Sequence, residues 1–400
     1  MQFSTDPDVV ITGIGVVSPL GLNVTSTWQS LKAGGSARQD ITLFDTEGCR
    51  CRQGAQVSLP DQTRAQRRLS RASRLALMAA EEALVQAQAL GRPLENPISL
   101  CISTTGGAME WGESFLQGIL QGKRRHLLSQ VARYQPQQQV LDLQQAFGLR
   151  GPVTLVGNAC ASGANAVGHG FDLIRSGMAD CVLVGGFEAL TELIFVGFDC
   201  LQVLSMDCCR PFDQNRNGLM LGEGAAFLVL ENRAHAEKRG IEILGSLLGY
   251  GHSTDLHHLT QPAPTGQALV SAMQAALAEA KISPSQIGYV NAHGTGTQTN
   301  DGPETLAYQE IFEEHLPQVA ISSTKAAVGH TLGAAGCLEA VFALCAARDA
   351  IAPPQLHNLT PIPAITLSLA GKDRNLKSGA PVMSVNLGFG GSNAALVISL

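Results

Sequence analysis

A strand, a tight turn and a helix of small residues occur twice in this chain, about 170 residues apart, and that internal echo restricts the fold more than any other feature. The first copy is VTLVGNACASGANAVGHG at 153–170 and the second is VAISSTKAAVGHTLGAAG at 319–336. Further pairs accompany it. GEGAAFLVL (222–230) matches GSNAALVIS (391–399), each a glycine turn entering an apolar strand. An Ala-rich helix at 70–90, the strand ISLCIS (98–103) and the loop TTGGA are echoed by a helix at 266–281, the strand IGYVNAH (287–293) and the loop GTGTQT. VVITGIGVV (9–17) reads as another buried strand. Helices made of Ala, Gly and Ser on several faces are too bare for a surface; they need close neighbours all round and so belong between layers. Alternating strands and helices, given twice, predict a layered α/β fold with buried central helices. No Pro/Ser tract separates the copies, so the halves 1–235 and 236–400 are expected to form one intertwined unit with the functional site between them.

Composition agrees with extensive burial. The chain is 45% hydrophobic and 15% charged, which calls for a large core or a subunit interface. A net charge of −6 argues against nucleic-acid binding. No run of 18 apolar residues indicates a membrane span, and MQFSTDPDVV lacks the basic-then-apolar order of a secretory signal. The 10 cysteines form no metal-type CxxC pairs, and Cys49–Cys51 and Cys208–Cys209 are too close for an ordinary disulfide framework. Free thiols in a reducing, cytoplasmic compartment are the expectation, with no metal. The glycine stretches GIGVV, STTGGA and GFGGSN do not read GxGxxG, so nucleotide binding is rejected. Basic residues cluster at Arg64, Arg67, Arg68, Arg71 and Arg74 and again at Lys123, Arg124 and Arg125. They form either a solvated helix face or a docking patch for an acidic partner.

Cys160 stands at the junction of a strand and a small-residue helix. There a thiol meets unpaired N–H groups and the positive end of the helix dipole, both of which favour thiolate. Ala159, Ala161, Ser162 and Gly163 leave substrate room to reach the sulfur. Cys101, Cys181, Cys337 and Cys345 read instead as structural thiols. His293 ends an apolar strand before a Gly/Thr loop, and His330 begins the second small-residue helix. The echo gives His330 the place in half two that Cys160 holds in half one. Lys325 lies in apolar surroundings, so a buried ammonium there requires a carboxylate partner. Phe389, between glycines in NLGFGGSN, is a poor core residue.

These motifs, spread from Ile11 to Asn393, resemble the β-ketoacyl synthases, the condensing enzymes of fatty-acid and polyketide assembly. The resemblance implies a thiolase-type fold, with duplicated halves in five αβαβα layers, and an obligate dimer. It implies Cys160 as nucleophile and His293 and His330 as the catalytic histidines of the elongating branch, with Lys325 beside them. It assigns Glu304 as the acidic partner of Lys325, Asp301 as a supporting group, and Phe389 as the pocket gate whose N–H joins that of Cys160 in an oxyanion hole. Thr105, Phe198 and Leu387 are expected to line the acyl pocket; Thr105 and Leu387 replace a larger aliphatic and a Phe. Arg64, Arg67, Arg68, Arg124 and Arg125 resemble patches that dock an acidic acyl carrier protein, while Gln202 replaces a basic residue.

No cofactor is expected, since the carrier supplies the phosphopantetheine arm. The partner is the carrier together with a second copy of the chain or a chain-length-factor-like subunit. The short segment LSMDCCRPFDQNRNG and Thr105 suit a secondary pathway, aryl polyene or polyketide, and leave housekeeping fatty-acid elongation as an equal reading. A catalytically silent chain-length factor would lack the cysteine, and an acyl-binding protein would not need both histidines. A thiolase would carry a second cysteine near the C-terminus, and none follows Cys345.

Overall fold

Nine consecutive buried residues, Val9–Val17, place the first strand (β1) inside the molecule. The computed structural model describes residues 8–63, 66–90, 96–122, 128–363, 367–372 and 374–400. After β1 the strands of the main sheet are β2 (Ser99–Ser103), β3 (Val153–Val156), β4 (Cys181–Glu188), β5 (Gly224–Asn232), β6 (Gly245–Thr254), β7 (Tyr289–Asn291), β8 (Ala320–Ser322), β9 (Val382–Leu387) and β10 (Ser392–Ser399). Their spatial order is β3-β2-β4-β5-β1-β6-β10-β9-β7-β8. The order reads alike from both ends once β1 is matched with β6, β5 with β10, β4 with β9, β2 with β7 and β3 with β8. Direction repeats too. The pairs β2/β3 and β2/β4 are parallel, as are β7/β8 and β7/β9; β4/β5 and β9/β10 are antiparallel. The halves join where β1 meets β6 antiparallel, Val9 opposite Leu247 and Ile11 opposite Gly245.

Helices fill three layers around this sheet. The layer helices are α1 (Arg71–Gln86), α2 (Ser162–Arg175), α3 (Glu192–Cys200), α4 (Gln267–Ala280), α5 (Asp301–Phe312) and α6 (Ala335–Asp349). α2 and α6 touch strands of both halves and share one core with them. α1 packs on the outer face of the first half, around Leu75, Ala79 and Ala83. α4 and α5 cover the second half through Met273, Ala276 and Tyr308. Three helix layers separated by the two halves of the one sheet give the expected αβαβα layering. Every residue from Ala335 to Ala347 on α6 is buried, which is why that helix carries almost nothing but small and apolar residues.

The bare composition has a geometric cause. A Cβ added at Gly163 of α2 would lie 2.7 Å from the backbone nitrogen of Cys337 on α6, and one at Gly336 would collide with Ala164. The central helices therefore cross backbone to backbone, bringing the two turns that precede them together. The helices Met109–Leu120, Leu128–Tyr134 and Pro136–Phe147 break the symmetry between β2 and β3 and were not read from the sequence. The strand expected at 287–293 is shorter, Tyr289–Asn291.

Candidate active site

Each central helix is entered through a one-turn 3-10 segment, Ala159–Ala161 before α2 and Leu332–Ala334 before α6. Each segment starts on a non-glycine residue in the left-handed region, Ala159 at φ 58 and Leu332 at φ 47. Such a conformation costs about 1–2 kcal/mol per residue and persists only where surrounding packing enforces it. In half one this elbow presents Cys160. In half two the matching position is Gly333, and His330 lies three residues earlier, so the expectation that His330 mirrors Cys160 is corrected. The two still meet, because the helix crossing brings both turns to one cavity.

That cavity, of about 190 Å³, is lined by Cys160, His293 and His330 together with Phe198, Leu387 and Phe389. The rings of Phe198 and Phe389 stack at 6.1 Å with an interplanar angle of 11° and form an aromatic pair beside the sulfur. Gly388 passes so close that a Cβ there would sit 3.3 Å from the Cys160 nitrogen. Thr105, expected in the acyl pocket, is not among the lining residues and is exposed on this protomer. Its N–H donates to Glu188 at 2.8 Å, which fixes its backbone outside the cavity.

The histidine rings stand edge to face, 5.5 Å apart. Leu332 N–H donates to His330 Nδ1 at 3.2 Å. With Nδ1 accepting, the neutral ring carries its proton on Nε2, leaving that one donor for a ligand. Burial lowers the pKa of both rings well below the usual histidine value. The Lys325 ammonium lowers both further, and His330 adds to the effect on His293. Both are neutral donors at neutral pH.

Lys325 is 1% exposed. Its ammonium pairs with Glu339 of α6, whose other oxygen accepts from Asn386 Nδ2 at 2.6 Å. The expected partner, Glu304, does something else. It accepts the backbone N–H groups of His293 (2.7 Å) and Gly294 (2.8 Å) and the Tyr308 hydroxyl (2.6 Å). Its place on α5 aims it at the loop that carries His293. Burial, with the Asp301 charge beside it, pushes the Glu304 pKa up to about 7. Asp301 accepts from Phe212 N–H at 2.8 Å and Gly296 N–H at 3.2 Å, holding the start of the Gly/Thr loop. Sequence reasoning missed Glu339. The available signal was a lone charge among the small and apolar residues from Ala335 to Ala347.

Cys160 is also corrected in one respect. Burial pushes its pKa up to about 11, although Lys325 and the Phe389 N–H pull it down. The resting sulfur is a thiol, not the thiolate that the helix start alone would favour.

Of the basic cluster, Arg67 and Arg68 are exposed. Arg71 turns inward to pair with the buried Glu223, and Arg74 donates to Pro60 O. Arg64, Arg124 and Arg125 lie outside the described residues. Among the described residues no helix is long and apolar enough to cross a membrane.

Comparison with known proteins agrees with this geometry. The family described as "Beta-ketoacyl synthase, N-terminal domain" matches residues 6–236, and its C-terminal counterpart matches residues 244–358. The 3-oxoacyl-[acyl-carrier-protein] synthase 2 of Staphylococcus aureus (strain COL) is 35% identical over 407 residues, covering 98% of each chain. Among solved structures, the ishigamide ketosynthase/chain length factor is similar with TM-score 0.92 at 29% identity, covering 99% of each chain. The complex AntDE:AntF, a type II PKS acyl-carrier protein with its ketosynthase bound to the hexaketide, is similar with TM-score 0.90 at 27% identity, covering 99% of this chain and 100% of that one.

Proposed function

The chain belongs to the β-ketoacyl synthase family, and from that membership we propose how its site works. It catalyses a decarboxylative Claisen condensation between thioester-bound acyl units in fatty-acid or polyketide synthesis. The observation that carries the reading is one small cavity holding a thiol on a strained elbow and two neutral imidazoles.

In the first half-reaction Cys160 attacks an acyl thioester on the carrier's phosphopantetheine arm. The thiol proton leaves with the displaced pantetheine thiol. The N–H groups of Cys160 and Phe389 hold the tetrahedral oxyanion, and the Phe389 ring must swing off Phe198 for a chain to enter. In the second half-reaction a malonyl-type thioester occupies the emptied channel. His293 and His330 donate hydrogen bonds to its carbonyl oxygen, which takes the charge as CO2 leaves. The resulting enolate attacks the acyl-Cys160 carbonyl, and the C–S bond of the tetrahedral adduct breaks. Cys160 leaves as thiolate and takes up one proton from solvent, and the β-ketoacyl product remains on the carrier. Burial, with the Lys325 ammonium adding to it, keeps the imidazoles unprotonated; Glu304 and Asp301 fix the backbone of the histidine loop. Hydrogen bonding supplies the needed stabilisation, so the chain requires neither a metal nor a cofactor of its own.

The carrier docks on the exposed Arg67 and Arg68; Arg64, Arg124 and Arg125, also expected to dock it, lie outside the described residues. The chain pairs with a second copy or with a chain-length-factor-like subunit. An edge strand, β3, whose Val153 is 41% exposed, and the exposed Leu116, Leu120 and Leu128 support that reading. The short segment at 204–218 suits an aryl polyene or other polyketide pathway, with fatty-acid elongation as the other reading. Ten free thiols suit the cytoplasm. The experiment is product analysis by mass spectrometry with acyl- and malonyl-carrier protein, using the chain alone and with a partner subunit. A β-ketoacyl carrier is expected; hydrolysis of the acyl carrier without extension would count against condensation.

A further inference from the structure

The geometry points to Glu188 as a positioning residue: its buried carboxylate sets the turn that carries His330 and ties it to the loop after β2. The inference rests on the proposed condensation and deepens it. Glu188 ends β4 and is 0% exposed. Among the described residues no ion pair reaches it. Five donors surround it instead. Oε1 accepts from Gly106 N–H (2.7 Å), Gly107 N–H (3.1 Å) and the Thr104 hydroxyl (3.1 Å). Oε2 accepts from Thr105 N–H (2.8 Å) and, across the junction of the halves, from Gly333 N–H (3.0 Å). A nest of backbone N–H groups is how a protein holds an anion without a counter-cation.

Gly333 matters because of its neighbours. The preceding peptide N–H, that of Leu332, fixes the His330 ring through Nδ1. The next N–H along is the one Glu188 holds. Leu332 is left-handed at φ 47, so the turn keeps its shape only while both ends are tied. The duplicated elbow thus has two uses. In half one the matching backbone N–H belongs to Cys160 and serves substrate; in half two a carboxylate of the protein occupies it. Burial raises the Glu188 pKa, yet the donors around it are arranged for the anion.

Glutamine at this position is nearly isosteric but wrong in polarity. Its oxygen serves the three donors on the Oε1 side, and its amide group then faces the N–H groups of Thr105 and Gly333. Two donors confront each other, and the His330 turn shifts while the elbow of Cys160 is untouched.

The test compares wild type with Glu188→Gln in two assays, CO2 release from malonyl-carrier protein and alkylation of Cys160 by iodoacetamide. The expected result is a tenfold or greater loss in kcat for CO2 release, with KM within twofold of wild type and the alkylation rate not reduced, since the Glu188 charge raises the Cys160 pKa. Thr104→Val, which removes the hydroxyl's bond to Glu188 and its bond from Gly107 N–H but leaves the carboxylate in place, should show the same split with a loss of about threefold, and it decides the matter if Glu188→Gln does not fold. Unchanged CO2 release, or CO2 release, alkylation and Tm all falling together, overturns the positioning role. Wild-type protein that releases no CO2 would instead sink the proposed reaction itself.

Discussion

The centre of the site is a set of groups whose protonation is controlled by burial. Cys160 is held as a thiol and His293 and His330 as neutral rings, while Lys325 is paired with Glu339. Glu339→Ala would strand the ammonium in the core. Breaking a buried pair from one side costs about 3–5 kcal/mol, to be read from urea unfolding. The histidines give a pH signature with a definite sign. Their folded pKa values lie below the unfolded one, so the unfolded chain gains protons first and stability falls as pH drops through about 6.5. Replacing His293 by Asn should remove roughly 1 kcal/mol of the stability lost between about pH 7 and 5.5. Glu304 acts oppositely, since its raised pKa weakens the fold as pH rises from its unfolded value toward about 7, so only the difference between wild type and variant isolates the histidine. Cys160, His293, His330 and Lys325 were legible in the sequence because each sits where a strand ends or a small-residue helix begins. The lysine's partner was not. Glu304 is close in chain position to His293, but only the layering places Glu339 of α6 against the ammonium.

At the level of elements, the two central helices set the geometry, and their crossing tolerates no added atoms. Gly163→Ala should cost about 1–3 kcal/mol or more, because the neighbouring group is backbone of α6 and cannot rotate away. Differential scanning calorimetry would register it as a lowered Tm. The duplicated strands and helices were readable because turn chemistry and small-residue composition are local properties. The Met109–Phe147 insertion was not, since its helices pack within half one alone and have no counterpart to reveal them. The arginine cluster shows the same limit. Spacing alone did not separate Arg67 and Arg68, which face solvent, from Arg71 and Arg74, which face the core. Charge reversal at Arg67 and Arg68 should raise KM at least tenfold for carrier-bound substrate and leave a small-molecule thioester within twofold. Equal kinetics with both would remove the docking role.

For the whole molecule, the sheet order, alike from either end, brings residues of both halves to one cavity. Half one carries Cys160 and half two carries His293 and His330. The exposed strand edge at β3 and the leucines of Met109–Leu120 predict a two-chain particle in sedimentation, as a pair of identical chains or with a chain-length-factor-like subunit. A monomer under both conditions would contradict it. The most direct test of the central claim is mass spectrometry of the peptide bearing Cys160 after incubation with acyl-carrier protein. The account predicts an acyl adduct on Cys160 that disappears on addition of malonyl-carrier protein. No adduct, or one on another thiol such as the exposed Cys200, would contradict it.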